Sequence, residues 1–144
     1  MNIQTTIKPA YTLDYVPPDQ LEAVFPLIRD MLKGVVERSG GRWTLPSLIT
    51  DLLQGRFDLL CMCSSTIKGI VGTHLHTTSS GMVILQIPFV TGEDSKDWLH
   101  LLGVIEDHAR RNGASKVEMW ARKGYARKLP DYHLSHVLLE KDLI

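Results

Sequence analysis

The change of hydrophobic period in the middle of the chain limits its fold more than any single motif. Phe57 to Cys63 is a short apolar run, Ile70 to Thr77 alternates, and Met82 to Val90 is rich in branched and aromatic residues. Strands have period 2 and favour β-branched and aromatic side chains, so these runs predict three antiparallel strands. The turns between them fall near Ser64–Gly69 and at Ser79-Ser80-Gly81. The period then switches: Trp98, Leu101, Leu102, Ile105 and Ala109 recur at helical spacing, and Asn112-Gly113 supplies a left-handed stop. A helix with one apolar stripe cannot stand alone. It has to be laid on a sheet that is apolar on the facing side.

The flanks extend this pattern. Tyr11 to Val16 reads as a first strand, closed by Pro17-Pro18. Asp19 is placed to cap a helix whose apolar positions are Leu21, Val24, Phe25, Ile28, Met31, Leu32 and Val35. Pro26 falls inside that helix and is expected to bend or interrupt it. Thr44 caps a second, shorter helix, with Pro46 in its first turn and Gly55 just past its end. Lys116 to Ala121 reads as another strand, Tyr125 to Leu129 as a helical turn or two, and Ser135 to Lys141 as a last strand. The fold class is therefore α/β (α+β): a mixed, mostly antiparallel sheet of about six strands with helices on both faces. Residues 1–10 form an N-terminal arm, and residues 11–144 one domain, a normal size for a single core.

Charge excludes one class of function. Sixteen basic and sixteen acidic residues balance to a net charge of zero. Sequence-independent nucleic-acid binding needs a cationic excess, and a neutral chain is less protected against self-association. Met1 to Ala10 has no apolar core of a secretory signal, and no apolar run approaches the ~20 residues of a membrane helix. Cys61 and Cys63 stand two apart on one strand face, a poor geometry for a disulfide, so a reducing, cytoplasmic location is expected.

The order of elements, with the residues from Phe57 onward, resembles the GNAT (N-acetyltransferase-like) superfamily. The run from Trp98 to Ala114 is similar to that superfamily's main helix, and Lys116 to Arg122 to the strand that follows it. More narrowly, the chain resembles GNAT-like proteins encoded by tailed phages and prophages near virion-assembly genes. The residues carrying that likeness are Val24-Phe25-Pro26, Thr91-Gly92, Trp98, Ile105-Glu106, the run Arg122 to Arg127, and the closing run Leu138 to Leu143.

The superfamily resemblance implies an acetyl-CoA site with three parts. The first is a phosphate cradle between the fourth strand and the main helix. It would draw on Ile87, Phe89, Val90, Thr91, Gly92, Ser95 and Lys96. Here that loop reads Thr91-Gly92-Glu93-Asp94-Ser95-Lys96-Asp97, with one glycine, three carboxylates and a single cation. Such carboxylates are expected to cap the helix and complement its dipole, which repels an incoming anion. The second part is a general base: Gln86 cannot serve, Glu106 falls on the helix, and Glu118 is the candidate. The third is a general acid for the departing thiolate. Pro130 stands where the superfamily's tyrosine is usual, leaving Tyr125 or Tyr132 as substitutes.

These departures favour a GNAT-fold protein with an eroded acetyl-CoA site, acting as a non-catalytic phage or prophage virion-associated or assembly component in the host cytoplasm or the virion. The alternatives are an acetyl-CoA-dependent N-acetyltransferase acting on an amine, and a regulatory protein-binding module. For a protein partner or self-association the candidate surface is the basic C-terminal third, with Arg122, Lys123, Arg127 and Lys128. Cys61, Cys63, His74 and His76 are a zinc-ligand set by type, but they lack the tight knuckle spacing of a metal site and read as core or partly buried side chains.

Overall fold

The computed structural model describes residues 10–122 and 124–144. Strand β1 is Thr12–Val16, and helices α1 and α2 are Leu21–Glu37 and Leu45–Leu53. Strands β2, β3 and β4 follow as Asp58–Cys63, Ile67–Thr77 and Val83–Gly92. Helix α3 is the short Ser95–Trp98, and a 3-10 turn at Leu99–Leu101 joins it to α4, Leu102–Arg111. Strand β5 is Lys116–Met119 and α5 is Gly124–Lys128.

The five strands lie in chain order, antiparallel from β1 to β4, while β5 runs parallel to β4. A parallel neighbour needs a crossover, which α3 and α4 provide. Alternation along the strands loads both faces. Leu59, Cys61, Ile70 and Phe89 pack with Ile28, Leu32 and Leu48 of α1 and α2. Met62, Val71, Leu85, Ile87 and Val90 pack with Trp98, Leu101, Leu102 and Ile105 on the opposite face. Ile28, Leu32 and Leu48 are fully buried, and each such side chain contributes about 1.5–3 kcal/mol.

Several local expectations hold. Thr44 and Ser47 form a reciprocal capping box at the start of α2. Gly55, Gly81 and Gly113 all have positive φ where turns or helix stops were expected. Others require correction. Asp19 makes no cap; it lies in a 3-10 turn, Pro18–Gln20, that leads into α1. Helix α1 runs unbroken through Pro26, whose ring is exposed, so the lost hydrogen bond falls on the wet side of the helix. The helix beginning at Trp98 is broken by the 3-10 turn before α4.

Among the described residues the sheet has five strands rather than six, because Ser135 to Lys141 joins no strand. That segment is exposed and has no regular secondary structure, its Glu140 pairing with Arg42 at 3.2 Å. Of the expected arm, residues 1–9 lie outside the described residues, and Ala10 is exposed. No helix among the described residues is long and apolar enough to cross a membrane.

Candidate functional site

The site is created where two strands part. β4 and β5 pair from Ile84↔Lys116 to Ile87↔Met119, and the Trp120 N–H adds a rung to the Ile87 carbonyl at 3.0 Å. β4 then continues to Gly92 beside β3 alone. The parting coincides with a bulge, since the β3–β4 register shifts between Gly72↔Phe89 and His74↔Gln86. Pro88 sits in that bulge and has no N–H to offer a neighbour, in keeping with the confinement of proline to strand irregularities.

Beyond the bulge the direction of the backbone groups follows from one bond. Glu93 N–H donates to the Lys68 carbonyl at 2.8 Å. Alternation then turns the backbone of Phe89 and Thr91 toward β3, and that of Val90 and Gly92 toward the space β5 has left. The result is an opening on one side of which, among the described residues, the backbone groups of Val90 and Gly92 have no partner strand.

The loop at the mouth is not built as the sequence suggested. Asp94 takes a left-handed conformation (φ 50°) at the start of α3, and no side-chain cap forms there. The expected acidic helix cap is therefore absent. The loop is held instead by the fully buried Trp98, whose indole N–H donates to the Glu93 carbonyl. Two cations arrive from distant parts of the chain. Lys128 of α5 donates to Ser95 Oγ at 2.9 Å and lies 5.4 Å from the centre of the Tyr125 ring. Arg38, at the end of α1, donates to Thr91 Oγ1 at 2.8 Å. Nothing near either residue in the sequence announces these contacts, which span 33 and 53 residues.

The other candidates divide between the two faces. Val117 and Met119 pack with the α3–α4 side, so the intervening Glu118 faces the α1–α2 side, half-buried and opposite Gln86. Tyr125 packs half-buried at the edge of the α3–α4 core. Tyr132 is committed elsewhere: its hydroxyl donates to Glu106 Oε2 of α4 at 2.8 Å. Burial and that hydrogen bond push its pKa well above the usual phenol range. Of the residues expected for a cradle, Ile87 is buried and still paired with Met119, and Phe89 is buried in the α1–α2 core. Val90, Thr91 and Gly92 lie on β4 beyond the end of β5, and Ser95 and the exposed Lys96 open α3.

Lys128, counted in the basic surface, is occupied by the loop, whereas Arg122 and Arg127 are exposed and Lys123 lies outside the described residues. Cys61 and Cys63 pair opposite Ile70 and Ile67, while His74 and His76 lie beyond the Asp58↔Thr73 rung at the other end of β3. The four do not converge. Burial raises the thiol pKa values, to about 12 at Cys61 and about 11 at Cys63.

The overall arrangement of strands and helices is shared by solved structures of low sequence identity. An aminoglycoside acetyltransferase from an uncultured soil metagenomic sample, solved with sisomicin, matches with a TM-score of 0.67 at 14% identity, over 93% of this chain and 97% of that one. A ribosomal-protein-alanine N-acetyltransferase from Brucella melitensis biovar Abortus 2308 gives 0.65 at 17% identity, over 94% and 98%. A possible acetyltransferase from Clostridium difficile 630 gives 0.64 at 11% identity, over 93% and 98%. This is the GNAT acetyltransferase fold. No protein-family model and no curated sequence matches the chain.

Proposed function

We propose that this chain is an acetyl-CoA-dependent N-acetyltransferase. The observation that carries the reading is the opening between β4 and β5, where the backbone groups of Val90 and Gly92 lack a partner strand. A backbone edge with unmet hydrogen bonds suits the amide-bearing arm of coenzyme A, which can complete the ladder as a strand would. Lys128 at Ser95 and the exposed Lys96 bring positive charge to a loop whose own residues are mainly acidic. When bound, acetyl-CoA supplies an acyl group activated as a thioester.

The chain's own groups then divide the proton work. Glu118, half-buried on the α1–α2 face, draws a proton from the acceptor ammonium, directly or through water. Tyr125, set beside the loop by Lys128, donates to the departing thiolate. Tyr132 acts instead as a tether between the C-terminal segment and α4.

Calorimetric titration of acetyl-CoA tests this reading. Micromolar binding, about −8 kcal/mol, supports it, and CoA release with an amine present completes it. No heat and no thermal stabilisation at millimolar acetyl-CoA would refute it. That result would favour the second reading, a non-catalytic phage or prophage assembly component. The observation behind the second reading is the exposed apolar C-terminal stretch with Leu134, Val137, Leu138, Leu139 and Leu143, a surface suited to a protein partner. The exposed Arg122 and Arg127 are the cationic counterpart for such a contact.

A further inference from the structure

The two faces of the opening differ chemically. On the α3–α4 side it is closed by Val90, Trp98, Leu101 and Leu102, with Tyr125 and Leu129 packed against them. On the α1–α2 side polar groups flank it, Gln86 and Glu118 below the bulge and Thr91 and Arg38 above it, with the buried Phe89 between them against Trp43 and Phe57. A polar acceptor is therefore better matched to the α1–α2 side, where it meets polar groups, than to the wholly apolar α3–α4 side.

Arg38 is the decisive group on that face. Its guanidinium lies back across α1 because Gly34 has no side chain. A Cβ at Gly34 would stand 3.1 Å from Arg38 Nη1 and 3.4 Å from Nη2. From there Arg38 reaches Thr91, a neutral hydroxyl, and no carboxylate pairs with it among the described residues. One neutral acceptor satisfies little of the five-donor fork of an arginine. The neighbouring Arg42 differs, being paired with Glu140. Thr91 lies five residues along β4 from Gln86, the partner of Glu118, a span of roughly 16 Å along a strand that the long side chains of Arg38 and Glu118 can shorten.

We infer that Arg38 selects the acceptor, and that the acceptor is an amine that also carries a carboxylate or phosphate. The inference rests on the acetyl-transfer reading and deepens it. Glu118 receives the ammonium end and Arg38 the anionic end, so a polycationic amine is disfavoured at this face by the guanidinium.

The test compares two C-terminally amidated dipeptides, Ala-Glu and Ala-Gln, with sisomicin as a polycation, by the release of free CoA thiol from acetyl-CoA. The expected result is a kcat/KM for the Glu peptide at least tenfold above that for the Gln peptide. Arg38→Gln should abolish that ratio through KM for the peptide, Arg38→Lys should restore part of it, and the affinity for acetyl-CoA should stay unchanged in both. Equal use of the two peptides, or preference for sisomicin, overturns the inference and leaves the acetyltransferase reading standing. Weaker acetyl-CoA binding by Arg38→Gln with the peptide ratio intact assigns Arg38 to a cofactor phosphate and likewise overturns it. Absence of acetyl-CoA binding to the unmodified protein removes the reading itself, and the inference with it.

Discussion

Gly92 occupies the position where the opening depends most directly on backbone packing, so Gly92→Ala is an informative perturbation. A Cβ added there would meet the Lys68 carbonyl oxygen inside any permissible contact distance and would stand 2.5 Å from the Gly69 Cα. Both obstacles are backbone of β3, which cannot swing aside as a side-chain tip can. Relief requires β3 and β4 to separate at their upper end, and overpacking of this kind costs about 1–3 kcal/mol. The Glu93–Lys68 hydrogen bond lies one residue beyond and would be strained or lost, adding about 1 kcal/mol. A total of about 2–4 kcal/mol in a domain of this size lowers Tm by roughly 6–14 °C.

The control is Gly103→Ala. Gly103 is exposed near the start of α4, and a Cβ there meets nothing within 4 Å. That change should be neutral or stabilising by up to about 1 kcal/mol, the helix preference for alanine. Urea unfolding of both variants, at constant m-value, measures the difference. A Gly92→Ala protein as stable as the unmodified chain would refute the close β3–β4 approach and the argument for how the opening is shaped.

Other outcomes follow from the same contacts. Tyr125→Phe should lower the rate of CoA release by about 10–100-fold with little change in stability. Tyr132→Phe should leave that rate near normal and cost about 1 kcal/mol through loss of the Glu106 hydrogen bond, read by thermal unfolding. Trp98→Ala should destabilise by about 3–5 kcal/mol and weaken acetyl-CoA binding, because it empties the core under the loop and removes the bond to Glu93.

The two thiols should also shape the alkaline limb of stability. Their folded pKa values, about 12 and about 11, lie above the ordinary 9.0. Their contribution is therefore complete below pH 9 and is lost as pH rises through 9–12. Replacing Cys61 by Ala should flatten that decline in a pH series of unfolding midpoints.

The sequence by itself determined the elements that rest on local chemistry. The period-2 runs of β2 to β4, the stripe Leu101, Leu102, Ile105, Ala109, the Thr44 cap and the glycine stops at Gly55 and Gly113 each follow from side-chain spacing or a required φ. The place of Val90 to Ser95 between a strand and a helix was legible too, since it follows directly from the order of elements. Tertiary structure decided the rest. Whether Ser135 to Lys141 pairs depends on an edge elsewhere in the chain, so its short apolar run did not make it a strand. Pro26 did not break α1, because the side it faces is wet.

The electrostatic surroundings of the loop depend on tertiary structure for a related reason. Counting Glu93, Asp94 and Asp97 captured only neighbours in sequence, whereas Lys128 and Arg38 reach its Ser95 and the adjacent Thr91 from other elements. Electrostatic interaction depends on distance in space, and those distances exist only once α1 and α5 have packed beside β4.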